Sequence, residues 1–337
     1  MGSVIPLKKE LDNSYLKLKN LVGSKLDQVS QRIKYKLASE INLIHKMTDY
    51  HVKSGGKRIR PLLTLASAKL CGYRDGDRDV NLAACIELIH NATLLHDDVI
   101  DNSDLRRGVK TANSVWGNQS SILVGDYLFS RCFEMMVEDG SQEILKLLSS
   151  TSSRIAQGEV LQLEHKGEID LLEETYFNII NMKTAALFAA ATKVGACLGN
   201  KSKKEKEALE SYGKNLGLAF QIADDALDYF SSKRIFGKKI GKDFYEGKTT
   251  LPLIIIFQRG NNEERSFLKE IFKKKKRNED DFSETLALIN KYKAVQASFK
   301  RAEYFVNVSY DALGIFQYSE EKKILQNLTE FSLNRSF

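Results

Sequence analysis

No proline falls between Pro61 and Pro252, and the whole chain of 337 residues holds only 3. Proline ends or kinks helices, so its scarcity leaves room for long uninterrupted ones. Apolar residues recur at helical spacing through most of that stretch, and the alternation of half-buried strands is scarce. Both features favour an all-α fold. A hydrophobic content of 42% supports a sizeable core and excludes a disordered chain. Length alone leaves one large domain or two ordinary ones open. No linker marks a boundary, and no repeat is visible beyond one acidic motif.

That motif is Asp-Asp-x-x-Asp. It occurs as Asp97-Asp98-Val99-Ile100-Asp101 and again as Asp224-Asp225-Ala226-Leu227-Asp228. Each copy sits in an apolar segment that reads as helix, Leu82 to Asp101 and Tyr212 to Phe230. Residues i and i+4 share a helix face, so each copy sets carboxylates side by side. Unpaired, they repel. One copy is weak evidence, because acidic residues crowd solvated faces. Two copies inside apolar helices point to a cation. Carboxylate oxygens suit Mg2+, which keeps several waters and completes its shell with substrate phosphates. The candidate ligands are Asp97, Asp98, Asp101, Asp224, Asp225 and Asp228, forming a cage for ions that bridge a diphosphate.

Basic residues stand where such a substrate needs them. Gly55-Gly56-Lys57-Arg58-Ile59-Arg60-Pro61 ends one helix and begins another, and a helix start is an anion site. It lacks the P-loop spacing. His90, Thr93, Asp97 and Asp101 fall near one helix face. Arg106 and Arg107 follow the first acidic motif, and arginine forks suit phosphate oxygens. Lys183-Thr184 interrupts an alanine-rich helix, Tyr176 to Leu198, where the lysine either snorkels or faces an anion. Gln221 precedes Asp224 by nearly one turn. Residues 237–248 form a glycine- and lysine-rich loop that reads as a lid or as plain surface.

The formal charge of +7 admits nucleic acid, membrane or an anionic small substrate. Its excess lies in surface-like runs at Lys201–Lys206 and Lys269–Arg277, and no nucleic-acid-binding signature is present. The 4 cysteines are scattered without a Cys-x-x-Cys pair and read as reduced packing residues of a cytoplasmic protein. No signal peptide or uncharged 18-residue run appears. Two helices are expected before residue 50, and a buried helical pair over Val115–Val137 with Gly125-Asp126 between apolar stretches. Leu251–Phe257 reads as helix or strand, residues 260–285 carry little information, and Thr285–Phe337 reads as helix.

Taken together and in this order, the motifs resemble those of the trans-isoprenyl (polyprenyl) diphosphate synthases over essentially the whole chain. The matching residues include Gly55 to Pro61, Asp97 to Asp101, Arg106-Arg107-Gly108, Gly125-Asp126-Tyr127-Leu128, Lys183-Thr184, Gln221 with Asp224 to Asp228, Gly241-Lys242-Asp243 and Gly247-Lys248-Thr249. The resemblance implies one domain over residues 1–337, an isoprenoid-synthase helical bundle around a deep central cavity, working as a homodimer. It implies about three Mg2+ per site, two on Asp97 and Asp101 and the third on Asp224. Arg106, Lys183, Thr184, Gln221 and Lys238 match positions that contact the allylic diphosphate. Lys57, Arg60, His90 and Arg107 match the isopentenyl diphosphate site. Asp97, Asp101, Asp224 and Lys183 would carry catalysis.

In this family, bulky aromatics at the fourth and fifth positions before the first acidic motif shorten the product. Here those positions are Thr93 and Ala92, both small. The resemblance is strongest to bacterial octaprenyl and decaprenyl synthases that supply quinone side chains, with farnesyl or geranylgeranyl diphosphate as primer and a peripheral membrane contact for product release. Shorter-chain synthases and a non-catalytic subunit of a heteromeric synthase are the alternatives. Both acidic motifs are intact, which weighs against the second. A class I terpene cyclase usually has an Asn/Ser/Glu-type second metal motif. An HD-type phosphohydrolase needs histidines that do not fall into place. The family often ends in a basic run, whereas only Arg335 stands near this C-terminus.

Overall fold

The computed structural model describes residues 7–53, 56–106, 108–230 and 240–333. The described chain is all-α apart from one tight hairpin, in which β1 (Leu105–Arg106) pairs antiparallel with β2 (Val109–Lys110). Three helices, not two, precede residue 54: α1 (Leu7–Val22), α2 (Lys25–Lys36) and α3 (Asn42–Lys53). Gly23 separates the first two at φ +58°, a left-handed turn that glycine adopts without strain.

Next come α4 (Ile59–Leu70), with Pro61 in its first turn, and α5 (Arg78–Ile100). The short α6 (Ala112–Trp116) leads into α7 (Asn118–Asp139). Gly125 lies inside α7 and does not break it, which corrects the expected helical pair. The glycine is there for a neighbour, since a Cβ on it would stand 2.3 Å from Nε2 of His96. α8 (Gln142–Glu164) and α9 (Glu173–Ile180) follow. A π turn over Asn181–Ala185 then joins α9 to α10 (Ala186–Leu198). α11 (Lys203–Leu227) opens with a capping box between Ser202 and Glu205.

The remaining helices are α12 (Lys242–Glu246), α13 (Leu251–Arg259), α14 (Asn262–Lys273), α15 (Glu279–Lys291), α16 (Ala294–Ala312) and α17 (Glu320–Leu333). Leu251–Phe257 is therefore helix, begun by Pro252 in the first turn. The charged stretch from 260 to 285 is also ordered. Asn261 and Asn278 each form a capping box, with Glu264 and Asp281.

Two buried clusters fill the bundle. Leu62, Leu88, Ile89, Phe188 and Tyr212 belong to one; Ile222, Phe244, Leu253, Leu268 and Ala302 belong to the other. α11 gives side chains to both, so the helix bearing the second acidic motif is anchored along its length. All four cysteines are buried and free.

Glycines bring the central helices unusually close. A Cβ on Gly195 of α10 would lie 2.4 Å from the backbone N of Ala68 on α4, and one on Gly199 would lie 2.5 Å from Cys71. On α11, Gly213 and Gly217 meet Phe188 O at 2.4 Å and Ala185 Cα at 2.7 Å in the same sense. Backbone cannot swing aside as a side chain can. Gly195→Ala is therefore expected to destabilise the protein by about 1–3 kcal/mol, the usual cost of overpacking. Chemical denaturation would read this as a fall in midpoint.

Candidate active site between the two acidic helices

α5 and α11 end at the two acidic motifs, and the aspartates of each divide by direction. Asp97 and Asp101 keep 15% and 14% side-chain exposure. Asp98 is turned inward at 2%. Its carboxylate accepts from Arg106 Nε and Nη2 at 2.8 to 3.1 Å. In the second motif Asp224 is exposed and Asp225 is buried. Asp225 accepts from the Tyr176 hydroxyl at 2.6 Å and from Gln221 Nε2 at 2.8 Å. Gln221 Oε1 in turn accepts from Thr184 Oγ1 at 2.8 Å. Asp228 accepts the backbone N–H of Asp243 at 2.9 Å and so fixes the start of α12. Burial, then Asp243 and Asp224, pushes the Asp225 carboxyl well above the ordinary range, against the pull of its two hydrogen bonds.

The expectation of six metal-facing carboxylates narrows accordingly. Asp98 and Asp225 are committed to protein partners inside the fold, because position i+1 points about 100° away from i. Among the described residues, no three His, Cys, Asp or Glu side chains form a ready cage for one ion. Mg2+ is commonly held by one or two carboxylates, with phosphate and water completing the shell. The hard oxygens of Asp97, Asp101 and Asp224 fit a metal that arrives with a diphosphate better than one locked in beforehand.

Cations face these carboxylates. Lys183 Nζ donates to Glu159 Oε2 at 2.6 Å and Gln162 Oε1 at 2.9 Å, and lies 3.9 Å from Asp97 Oδ2. Lys248 bridges Asp101 at 2.7 Å and Glu246 at 2.8 Å. Lys242 donates to Ser103 Oγ at 2.9 Å. A cavity of about 90 Å³ opens among Lys183, Thr184, Gln221, Asp225, Asp243 and Lys248. Burial raises the Asp101 carboxyl, but Lys248 outweighs it, and the net shift is downward. Burial works against the Lys248 charge, yet Asp101, Asp243 and Glu246 reverse that and raise its pKa. This pair stays charged at neutral pH.

Glu159 behaves differently. Burial pushes its carboxyl up to about 7, with Lys183 pulling it down and Asp97 pushing it further up. A carboxyl raised from 4.5 adds stability below that value and loses it as pH rises through about 7. Melting temperature is therefore expected to fall between about pH 5 and pH 8, and the slope to flatten in Glu159→Gln. An unchanged slope would show that Glu159 does not govern it.

The π turn carries both Lys183 and Thr184, which the sequence placed as an interruption of an alanine-rich helix and matched to the allylic diphosphate site. Short π segments are frequent at functional sites. Lys248 stands in the quoted Gly247-Lys248-Thr249 motif, so its role had a signal. Glu159 and Tyr176 had none; each is one polar residue among several in its helix. Near α4, the Arg60 guanidinium lies 4.5 Å over the Phe188 ring. The carbonyl of Lys57 accepts from the Tyr15 hydroxyl at 2.9 Å. Arg58, between them, adopts φ 45° and donates to Ser30 Oγ. His90 and Thr93 are half-buried, and the Thr93 hydroxyl donates to the His90 carbonyl at 2.8 Å. Ala92 is fully buried. Arg107 and Lys238 lie outside the described residues.

Comparison with known proteins agrees with this architecture. The polyprenyl synthetase family model matches residues 41–289. The octaprenyl diphosphate synthase of Haemophilus influenzae is 35% identical over 98% of this chain and all of its own length. A polyprenyl synthase of Caulobacter crescentus, solved with calcium and isoprenyl diphosphate, superposes with a TM-score of 0.91 at 40% identity, covering 96% of this chain and 98% of that one. A decaprenyl diphosphate synthase from Rhodobacter capsulatus gives 0.91 at 38%, covering 96% and 99%. With a helical bundle of that shape and both acidic motifs intact, this chain belongs to the polyprenyl synthetase family and is a prenyltransferase.

Proposed function

We propose that the protein is a long-chain all-trans polyprenyl diphosphate synthase. It adds isopentenyl diphosphate repeatedly to an allylic primer, farnesyl or geranylgeranyl diphosphate, and its product is near octaprenyl length. The observation that carries this reading is the pair of cation–carboxylate contacts at the end of α5: Lys183 3.9 Å from Asp97, and Lys248 2.7 Å from Asp101. Carboxylates for a metal and cations for phosphate stand together there. The long-chain reading rests on the small side chains at Ala92 and Thr93 and on the octaprenyl and decaprenyl activities of the relatives.

Asp97, Asp101 and Asp224 are the residues that would hold Mg2+. Bound there, the metal supplies Lewis-acid stabilisation of the charge that grows on departing pyrophosphate. Lys183 is the fixed cation beside that charge, and Thr184 and Gln221 orient the diphosphate. Lys57, Arg60, His90 and Arg107 hold isopentenyl diphosphate so that its double bond meets the allylic carbon. No Ser, Cys or His nucleophile is needed, and released pyrophosphate takes the proton. Asp98 keeps Arg106 in place, and Asp225 keeps Gln221 in place.

Residues 1–337 form one synthase domain in this reading, and two copies make a homodimer. Leu123 and Val137 on α7 are 68% and 66% exposed, a large apolar cost that a second copy would remove. No helix among the described residues is long and apolar enough to cross a membrane. A cytoplasmic enzyme that touches the membrane to release a quinone side-chain precursor suits this chain. The test is product length from labelled isopentenyl diphosphate, farnesyl diphosphate and Mg2+. Alcohols of about eight isoprene units are expected. Three or four units would keep the enzyme and overturn the chain length; no product without a partner chain would favour a subunit role.

A further inference from the structure

Glu159 is a half-buried acid with no place in the reaction described above. It lies on α8, and α8 is pressed against the π turn. A Cβ on Gly158 would stand 2.8 Å from the backbone N of Lys183 and 2.9 Å from Met182 Cβ. The next residue, Glu159, therefore meets the Lys183 ammonium at 2.6 Å, and Gln162 joins it at 2.9 Å. Asp97 Oδ2 lies 3.9 Å from the same ammonium. That distance is close enough for attraction and too long for a hydrogen bond. Lys183 thus has two candidate anions and sits on one of them. Lysine is flexible along four carbons, so nothing in its own stem makes this choice.

We propose that Glu159, with Gln162, is a positioning residue that holds the Lys183 ammonium away from Asp97, keeping that carboxylate open to the divalent cation. Without a hydrogen-bond acceptor at the end of the residue 159 side chain, Lys183 closes on Asp97 and competes with the metal. This inference rests on the metal-dependent synthase reading given above. It concerns affinity for the cation, so it can fail while that reading stands.

The experiment measures Mn2+ binding, with Mn2+ in place of Mg2+ and inorganic pyrophosphate present, at pH 8. The EPR signal of the free ion reports the affinity. Glu159→Ala is expected to weaken Mn2+ binding about fivefold or more, a coupling usual for groups in one ion-pair network. Glu159→Gln, which can still accept from Lys183, is expected to stay within about twofold of wild type. In a Lys183→Met background, which has no competing ammonium, adding Glu159→Ala should leave the Mn2+ affinity as it is in Lys183→Met alone. Unchanged Mn2+ binding in Glu159→Ala overturns the proposal, as does an equal loss when Glu159→Ala is added to Lys183→Met. If Glu159→Ala does not fold by circular dichroism, Glu159→Asp serves, since it withdraws the carboxylate by one methylene. Weaker Mn2+ binding is expected there too, and no change overturns the proposal. A parallel product assay on the wild type separates the two readings: no product overturns the synthase assignment, while the Mn2+ series still decides the role of Glu159.

Discussion

Replacing Asp97 and Asp101 together by Ala is expected to lower product formation by at least about a thousandfold, the scale seen when groups that stabilise transition-state charge are removed. The fold should survive the change. Lys248 loses Asp101 but keeps Glu246 at 2.8 Å, and Lys183 keeps Glu159 at 2.6 Å. Neither cation is left without a counter-charge, so the large penalty of an orphaned buried ion does not arise. Turnover and melting temperature measured on the same preparation separate chemistry from folding. Near-normal turnover would remove these aspartates from the metal site, and a collapsed melting curve would make them structural. Asp98→Ala should do the reverse. It orphans Arg106, which has 31% side-chain exposure, and its first effect should be on stability.

Thr93→Phe is expected to shorten the product by several isoprene units while leaving the first condensation intact. Thr93 lies four residues before Asp97, about 40° round the helix, and is half-buried. A ring there would stand below the diphosphate end, in the path proposed for the tail. Ala92 is a poorer place for the same test. It lies about 140° from Asp97 and is fully buried, so a ring at that position would cost about 1–3 kcal/mol in overpacking before it met any substrate. Sizing the dephosphorylated products by chromatography decides the matter. An unaltered product distribution from folded Thr93→Phe would mean that the tail runs elsewhere.

The all-α fold was legible because its cause is distributed. Helical periodicity and missing prolines are spread over hundreds of residues, and no single contact has to be known. The acidic motifs were legible because they are dense and duplicated. Which aspartate faces which way was not. Asp98 and Asp225 are told from Asp97 and Asp224 by the partners the fold gives them, Arg106 in the hairpin for Asp98 and Tyr176, 49 residues away, for Asp225. The same limit hid Glu159, whose meaning comes from Lys183, 24 residues on.

Residues 260–285 looked uninformative for a related reason. Charged composition reports the solvent side of a segment and says nothing of its inner side. Arg277 stacks 4.4 Å from the Phe272 ring and packs near Gly247, while a Cβ on Gly241 would stand 2.2 Å from Phe282. Phe244 is set edge-on to Phe272 at 5.8 Å. The short helix that brings Lys242 and Lys248 to the site thus rests on side chains from this stretch. Glycine is required at 241 and 247 by positive φ, and at 241 by the Phe282 ring as well.

The glycine contacts that bind α4, α10 and α11 also bear on how this enzyme can be altered. Where helices meet through glycine there are no side chains to trim, and adding one drives the backbones apart. That wall carries Lys183, Thr184, Gln221 and Asp224, so it can be neither hollowed nor padded without displacing the chemistry. Evolution or a protein engineer seeking a different product is left with the flank of α5. There Thr93 is a side chain and not a backbone contact, so the exchange proposed above changes the clearance while the reacting groups stay where they are.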